Sequence, residues 1–97
     1  MTDRLEQFRA FRERMNARIH ERGTLTTKRF FNLDTRCYED GALPVRTKEL
    51  LGLVASLVLR CDDCVKYHLV ESRNAGASRK EIVEAMSIAL VVGGTIV

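Results

Sequence analysis

Cys61-Asp62-Asp63-Cys64-Val65-Lys66-Tyr67-His68, with Glu49 twelve residues before the first cysteine, is the stretch around which this chain is organised. Two cysteines three residues apart on a helix point the same way, with side chains about 5–6 Å apart. Such spacing lies inside the Cα range of about 4.4–6.8 Å that a disulfide tolerates, so the pair can close and open with little backbone movement. His68 follows Cys64 by four residues on the same face. An imidazole there can take the thiol proton and leave the thiolate, which is the attacking form. Cys61 lies two turns from His68, so the spacing makes Cys64 the activated thiol and Cys61 its resolving partner. Asp62 and Asp63 oppose a thiolate nearby, whereas Lys66, a protonated His68 and a helix N-terminus at Cys61 favour it.

Other readings of the same residues compete. Both cysteines could be small core residues beside a packed ring. Zinc needs four ligands, and the chain offers Cys61, Cys64 and His68 with Cys37 or His20, but no second CxxC or HxxxH pair. Haem attachment requires histidine directly after the second cysteine, where Val65 stands. We therefore expect neither a metal nor an organic cofactor, the two sulfurs carrying the chemistry.

The 97 residues make one domain, large enough for a single modest core that partners would supplement. With 45% hydrophobic and 30% charged residues, one proline and six glycines, the composition is that of a folded globular chain. The net charge of +3 is uneven, with eight Lys/Arg against four Asp/Glu in residues 1–30. Alternating Arg and Glu on a helix is a solvated face, so no nucleic-acid partner is expected. Met1-Thr2-Asp3-Arg4 is charged where a secretory peptide needs an apolar stretch, and no apolar run reaches the length of a membrane span. A cytoplasmic, membrane-free protein is the resulting expectation, and in the cytoplasm a CxxC pair means redox or metal chemistry rather than a structural disulfide.

Leu5, Phe8, Phe11, Met15 and Ile19 recur at steps of three and four, predicting one amphipathic helix over residues 3–21. His20 falls in its last turn and needs no function there. Gly23 breaks the pattern, Thr24 to Thr27 offer caps, and a second helix over 28–39 aligns Phe30, Leu33 and Cys37, with Cys37 read as buried filler. Pro44 marks the clearest connection, after which Thr47 is the expected N-cap and Glu49 a first-turn acid, either solvated or belonging to the site. Residues 50–59 are apolar apart from Gly52 and Ser56, which predicts a helix buried on all sides. Unbroken helix would separate Glu49 from Cys61 by about 18 Å. We therefore place a break at Arg60-Cys61-Asp62 and a fresh helix over 62–74, so that Glu49 can approach His68. Asn74-Ala75-Gly76 ends that helix, and Ser78-Arg79-Lys80-Glu81 is a capping box for the last one. Its apolar face runs into Val91-Val92-Gly93-Gly94-Thr95-Ile96-Val97, a tail covered by another subunit or continued in the natural chain. No repeat and no strand alternation occurs, so the fold class is all-α.

With Glu49, Cys61-Asp62-Asp63-Cys64 and His68 in this order, followed by Gly76-Ala77-Ser78, Lys80-Glu81-Ile82 and Gly93-Gly94, the chain resembles the AhpD-like alkylhydroperoxidase branch of the carboxymuconolactone decarboxylase family. The likeness covers residues 44–97, the CxxC-bearing core, and leaves 1–43 as a helical N-terminal arm of the same domain. It implies about five helices assembled as a homo-oligomer, often a trimer or hexamer. It further implies peroxidase chemistry with Cys64 attacking, Cys61 resolving, and His68 with Glu49 relaying protons. One departure stands out: the branch carries a further histidine just before the second cysteine, where this chain has Asp63.

The leading expectation is a thiol peroxidase or disulfide reductase acting on small organic hydroperoxides, its pocket lined by Leu53, Leu57 and neighbours, and regenerated by an external dithiol or protein reductant. A lyase of the family's namesake type would need acid/base groups and anion binders rather than a thiol pair. A non-enzymatic helical oligomer with a structural metal site is the third class.

Overall fold

The computed structural model describes residues 2–97, with side chains from Asp3 onward. Five α-helices follow one another: α1 (Thr2–Arg22), α2 (Leu25–Cys37), α3 (Val45–Leu59), α4 (Asp62–Asn74) and α5 (Arg79–Gly93), with a closing 3-10 turn at Gly94–Ile96. Among the described residues there is no strand, as the all-α expectation requires. The chain divides into two compact units, Met1–Cys37 and Tyr38–Val97.

In the first unit, the break between α1 and α2 falls on Gly23, whose N–H donates to the Ile19 carbonyl at 2.7 Å. A Cβ there would press into that same carbonyl, so the break needs glycine. Thr24 Oγ1 then accepts from Thr27 N–H at 3.2 Å and caps α2. Capping by Thr24 starts α2 at Leu25, three residues before the predicted position. Ring contacts between His20 and Phe31, 5.7 Å between centroids, tie the two helices together. Two helices alone enclose little, and no described residue of this unit is buried. Cys37 is accordingly exposed, not the buried filler expected of it.

The second unit is a three-helix core in which α3 packs on both α4 and α5. Its entry is held from the preceding turn: Asp40 Oδ1 accepts from Val45 N–H at 2.8 Å, and Lys48 Nζ donates to the Glu39 carbonyl at 2.6 Å. Pro44, extended at φ −72°, occupies the cap position without a side-chain bond. Thr47 therefore lies inside α3 and is not its N-cap, because Asp40 satisfies the leading amide two residues earlier.

Arg60 ends α3 in the left-handed conformation at φ 60°. Its N–H donates to Leu57 O and that of Cys61 to Ser56 O, both at 3.1 Å. These two bonds form a Schellman motif, which satisfies the last carbonyls while reversing the chain. The same pair of bonds closes α4 around Gly76 at φ 95°, from Gly76 N–H to Arg73 O and from Ala77 N–H to Ser72 O, each 3.0 Å. At α5 the capping box forms as predicted, Ser78 N–H to Glu81 Oε1 at 2.8 Å and Glu81 N–H to Ser78 Oγ at 3.1 Å.

Burial within this unit is selective. Leu53, Ala77 and Ala89 are the buried apolar residues, and they are accompanied by Glu49, Ser56, His68 and Ser72. Polar groups at that depth are the informative observation, since they need partners or a purpose. The expectation that α3 is buried all round fails: Leu51, Ala55 and Leu59 form an exposed stripe at steps of four. Helices α4 and α5 cover only two sides of α3, and Leu59 stays 77% exposed. No helix of the described residues is long and apolar enough to cross a membrane.

Candidate active site

Helical periodicity places Glu49, Leu53 and Ser56 on one face of α3, and all three are buried. Glu49 is the fifth residue of that helix, beyond its first turn, and only 6% exposed. The solvated reading of this acid is thereby corrected: the Pro44 start of α3 carries it inward. On α4, Cys64, His68 and Ser72 share a face at steps of four. Burial deepens along it, from a half-buried Cys64 to His68 at 9% exposure and Ser72 at zero.

The Arg60 reversal lays these two faces together. His68 Nδ1 lies 2.8 Å from Glu49 Oε1, a buried pair linking residues 19 apart in sequence. A carboxylate accepts, so the imidazole donates from Nδ1 and its Nε2 faces elsewhere. There it meets the hydroxyl of Tyr38, 3.4 Å away. The Tyr38 and His68 rings stand 5.3 Å apart at 32°, and Tyr67 approaches the imidazole edge-on at 5.1 Å. Gly52 makes this possible, because a Cβ on it would lie 2.7 Å from both His68 Cε1 and the Tyr38 hydroxyl.

Cys61 and Cys64 are joined in a disulfide with Cα atoms 5.3 Å apart. Cys61 is the N-cap of α4, and its sulfur accepts from the Cys64 N–H at 3.3 Å. After reduction, that amide and the positive helix end favour a thiolate at Cys61. Cys64 is instead the sulfur one turn from His68. Asp62, Asp63 and Lys66 are all exposed, so water screens their opposing influences. In the disulfide form no hydrogen bond joins the imidazole to either sulfur among the described residues, and its two nitrogens address Glu49 and Tyr38.

Tyr38 escapes a reading of the sequence, because a single aromatic at the end of the predicted second helix looks like packing. Gly52 is the better signal: glycine inside an apolar helix marks a close approach. Of the two residues expected to line a pocket, Leu53 is closed inside the core at zero exposure. Leu57 does face an open cleft of about 310 Å³, shared with Val83, Met86, Leu90 and Val97. Among the described residues no three His, Cys, Asp or Glu side chains are grouped to hold a metal ion.

Two crystal structures of one Thermotoga maritima protein superpose on the chain with TM-scores of 0.91 and 0.88, at 59% and 60% identity. They cover 94% and 93% of this chain and 80% and 76% of the other. That protein is described as a carboxymuconolactone decarboxylase family member of suspected involvement in an antioxidative response. An uncharacterised protein of Cupriavidus necator is 34% identical over 56 residues, covering 58% of this chain and 50% of its own. Another, encoded in the cox locus of Paracoccus denitrificans, is 35% identical over 60 residues, covering 62% and 54%. The chain thus spans about half the length of these two relatives. The model of the carboxymuconolactone decarboxylase family matches residues 24–97, and the chain belongs to that family.

Proposed function

We propose that this chain is a thiol-dependent peroxidase and disulfide oxidoreductase of the AhpD-like type, reducing small organic hydroperoxides. The observation that carries the reading is a closed Cys61–Cys64 pair at the half-exposed start of α4, on the helix that holds the buried Glu49–His68 pair. The Cys64 thiolate attacks the O–O bond of the hydroperoxide; an S–O bond forms, the O–O bond breaks, and the alkoxide takes a proton to leave as alcohol. The Cys61 thiolate then attacks the Cys64 sulfenic sulfur, forming the disulfide and releasing hydroxide that is protonated to water. A thiolate-stabilising N-cap suits Cys61 to that resolving step. An external dithiol, small or protein-borne, reduces the disulfide and is itself oxidised. His68 and Glu49 store and return the protons.

A homo-oligomer, trimer or hexamer, belongs to the same proposal, as does a reducing cytoplasmic setting that keeps the dithiol available. The exposed apolar stripe of α3 and the exposed Val91 and Val92 of α5 support assembly. The decisive experiment is thiol titration of the reduced protein before and after one equivalent of cumene hydroperoxide. Loss of two thiols per chain, reversed by dithiothreitol and absent in Cys64→Ser, is expected; unchanged thiols would overturn the reading.

A further inference from the structure

We infer that the Tyr38 hydroxyl is the port through which the buried Glu49–His68 pair exchanges its proton, acting as a positioning residue through His68. For its effect on turnover this inference rests on the peroxidase reading; for the proton exchange itself it does not. Glu49 and His68 are less than a tenth exposed, and the proton they share lies on the 2.8 Å line between Oε1 and Nδ1. Nε2 is then the nitrogen left for traffic, and the Tyr38 hydroxyl stands on it. A phenol both donates and accepts, so it can hand its own proton to Nε2 while taking another, without building charge. Tyr38 is only half-buried, unlike the two residues it serves.

Two further features keep the phenol in place. The turn after Tyr38 is fastened to α3 by the Asp40–Val45 and Lys48–Glu39 bonds. Gly52 removes the one side chain that would occupy the space of the Tyr38 hydroxyl. Mid-helix glycine costs about 1 kcal/mol relative to alanine, and at position 52 it makes room for the imidazole and the phenol together. Their present separation of 3.4 Å is long, in keeping with catalytic hydrogen bonds that tighten only when substrate is bound. In turnover, the proton released by the Cys64 thiol enters through the hydroxyl and is held by the pair. It returns by the same path to the alkoxide once the O–O bond has broken.

Tyr38→Phe tests this, because it keeps the ring and deletes one oxygen. Expected are an unchanged Tm and KM for cumene hydroperoxide, a kcat lowered about tenfold or more, and partial recovery as imidazole is added. Wild-type turnover should ignore imidazole. Independently of turnover, exchange of the His68 ring N–H with water, followed by NMR on the reduced protein, should slow in Tyr38→Phe. Unchanged kcat with unchanged ring exchange would overturn the inference, as would a loss of kcat that imidazole does not relieve and that tracks a lowered Tm. If wild-type turns over no peroxide, the peroxidase reading fails, and ring exchange alone still decides the role of Tyr38.

Discussion

Gly52→Ala separates helix propensity from site geometry. In an ordinary helix interior this substitution stabilises by about 0.8–1.0 kcal/mol. Here the new methyl would lie 2.7 Å from His68 Cε1, 2.7 Å from the Tyr38 hydroxyl and 2.9 Å from His68 Nδ1. Comfortable contact needs about 3.5–4.0 Å, so the neighbours must retreat by roughly 1 Å. The phenol can swing away, whereas the imidazole, held by its 2.8 Å bond to buried Glu49, can shift only by straining that bond. Starting from 3.4 Å, a retreat of roughly 1 Å takes the Tyr38–His68 contact beyond hydrogen-bonding range. Overpacking costs about 1–3 kcal/mol. Set against the propensity gain, the net loss is about 0–2 kcal/mol, a urea midpoint shift of about 0–2 M. Urea unfolding followed by circular dichroism should therefore show no gain in stability, whereas peroxide turnover falls about tenfold or more, as for loss of one acid–base group. A variant more stable by about 1 kcal/mol with full turnover would refute the reasoning, since the pocket would then have slack for a methyl.

Other outcomes follow from the same geometry. Cys61→Ser retains a capping side chain for α4, so the helix should persist while the cycle stops after one turnover; mass spectrometry should find Cys64 oxidised, and a closed cycle would contradict the assigned order. Ser72 Oγ is wholly buried without a hydrogen-bond partner, so Ser72→Ala should stabilise by about 1 kcal/mol and raise Tm by several degrees; a lower Tm would show that the hydroxyl is satisfied in solution. The Ser78 backbone N–H, and secondarily Arg46, hold Glu81 below its ordinary value of 4.5. A carboxyl lowered by folding stabilises above 4.5 and loses that contribution as pH falls through its folded-state value. Wild-type unfolding should thus grow more acid-sensitive below that point than Glu81→Gln, and parallel pH profiles would count against the capping box in solution.

Features written in short range were legible from residue order. The apolar steps of α1, the breaks at Gly23, Pro44 and Gly76, the limits of α4 and the Ser78–Glu81 box all depend on residues within a few positions of one another. So did Cys64 and the histidine one turn beyond it, because helix geometry alone sets their common face, with Cys61 just before the helix as its N-cap. The Arg60 reversal was placed by its flanking acids, although arginine gives no hint of a left-handed residue. What spacing could not settle was depth and partnership. Whether Glu49 meets water or His68 depends on how the Arg60 turn aims α4 across α3. That Tyr38 stands on the second imidazole nitrogen, and that Cys37 lies exposed, depends on which surfaces other helices cover. Local pattern specifies where a helix begins, ends and turns its apolar side. Burial and hydrogen-bond pairing are properties of two surfaces brought together, and they exist only once the chain has packed.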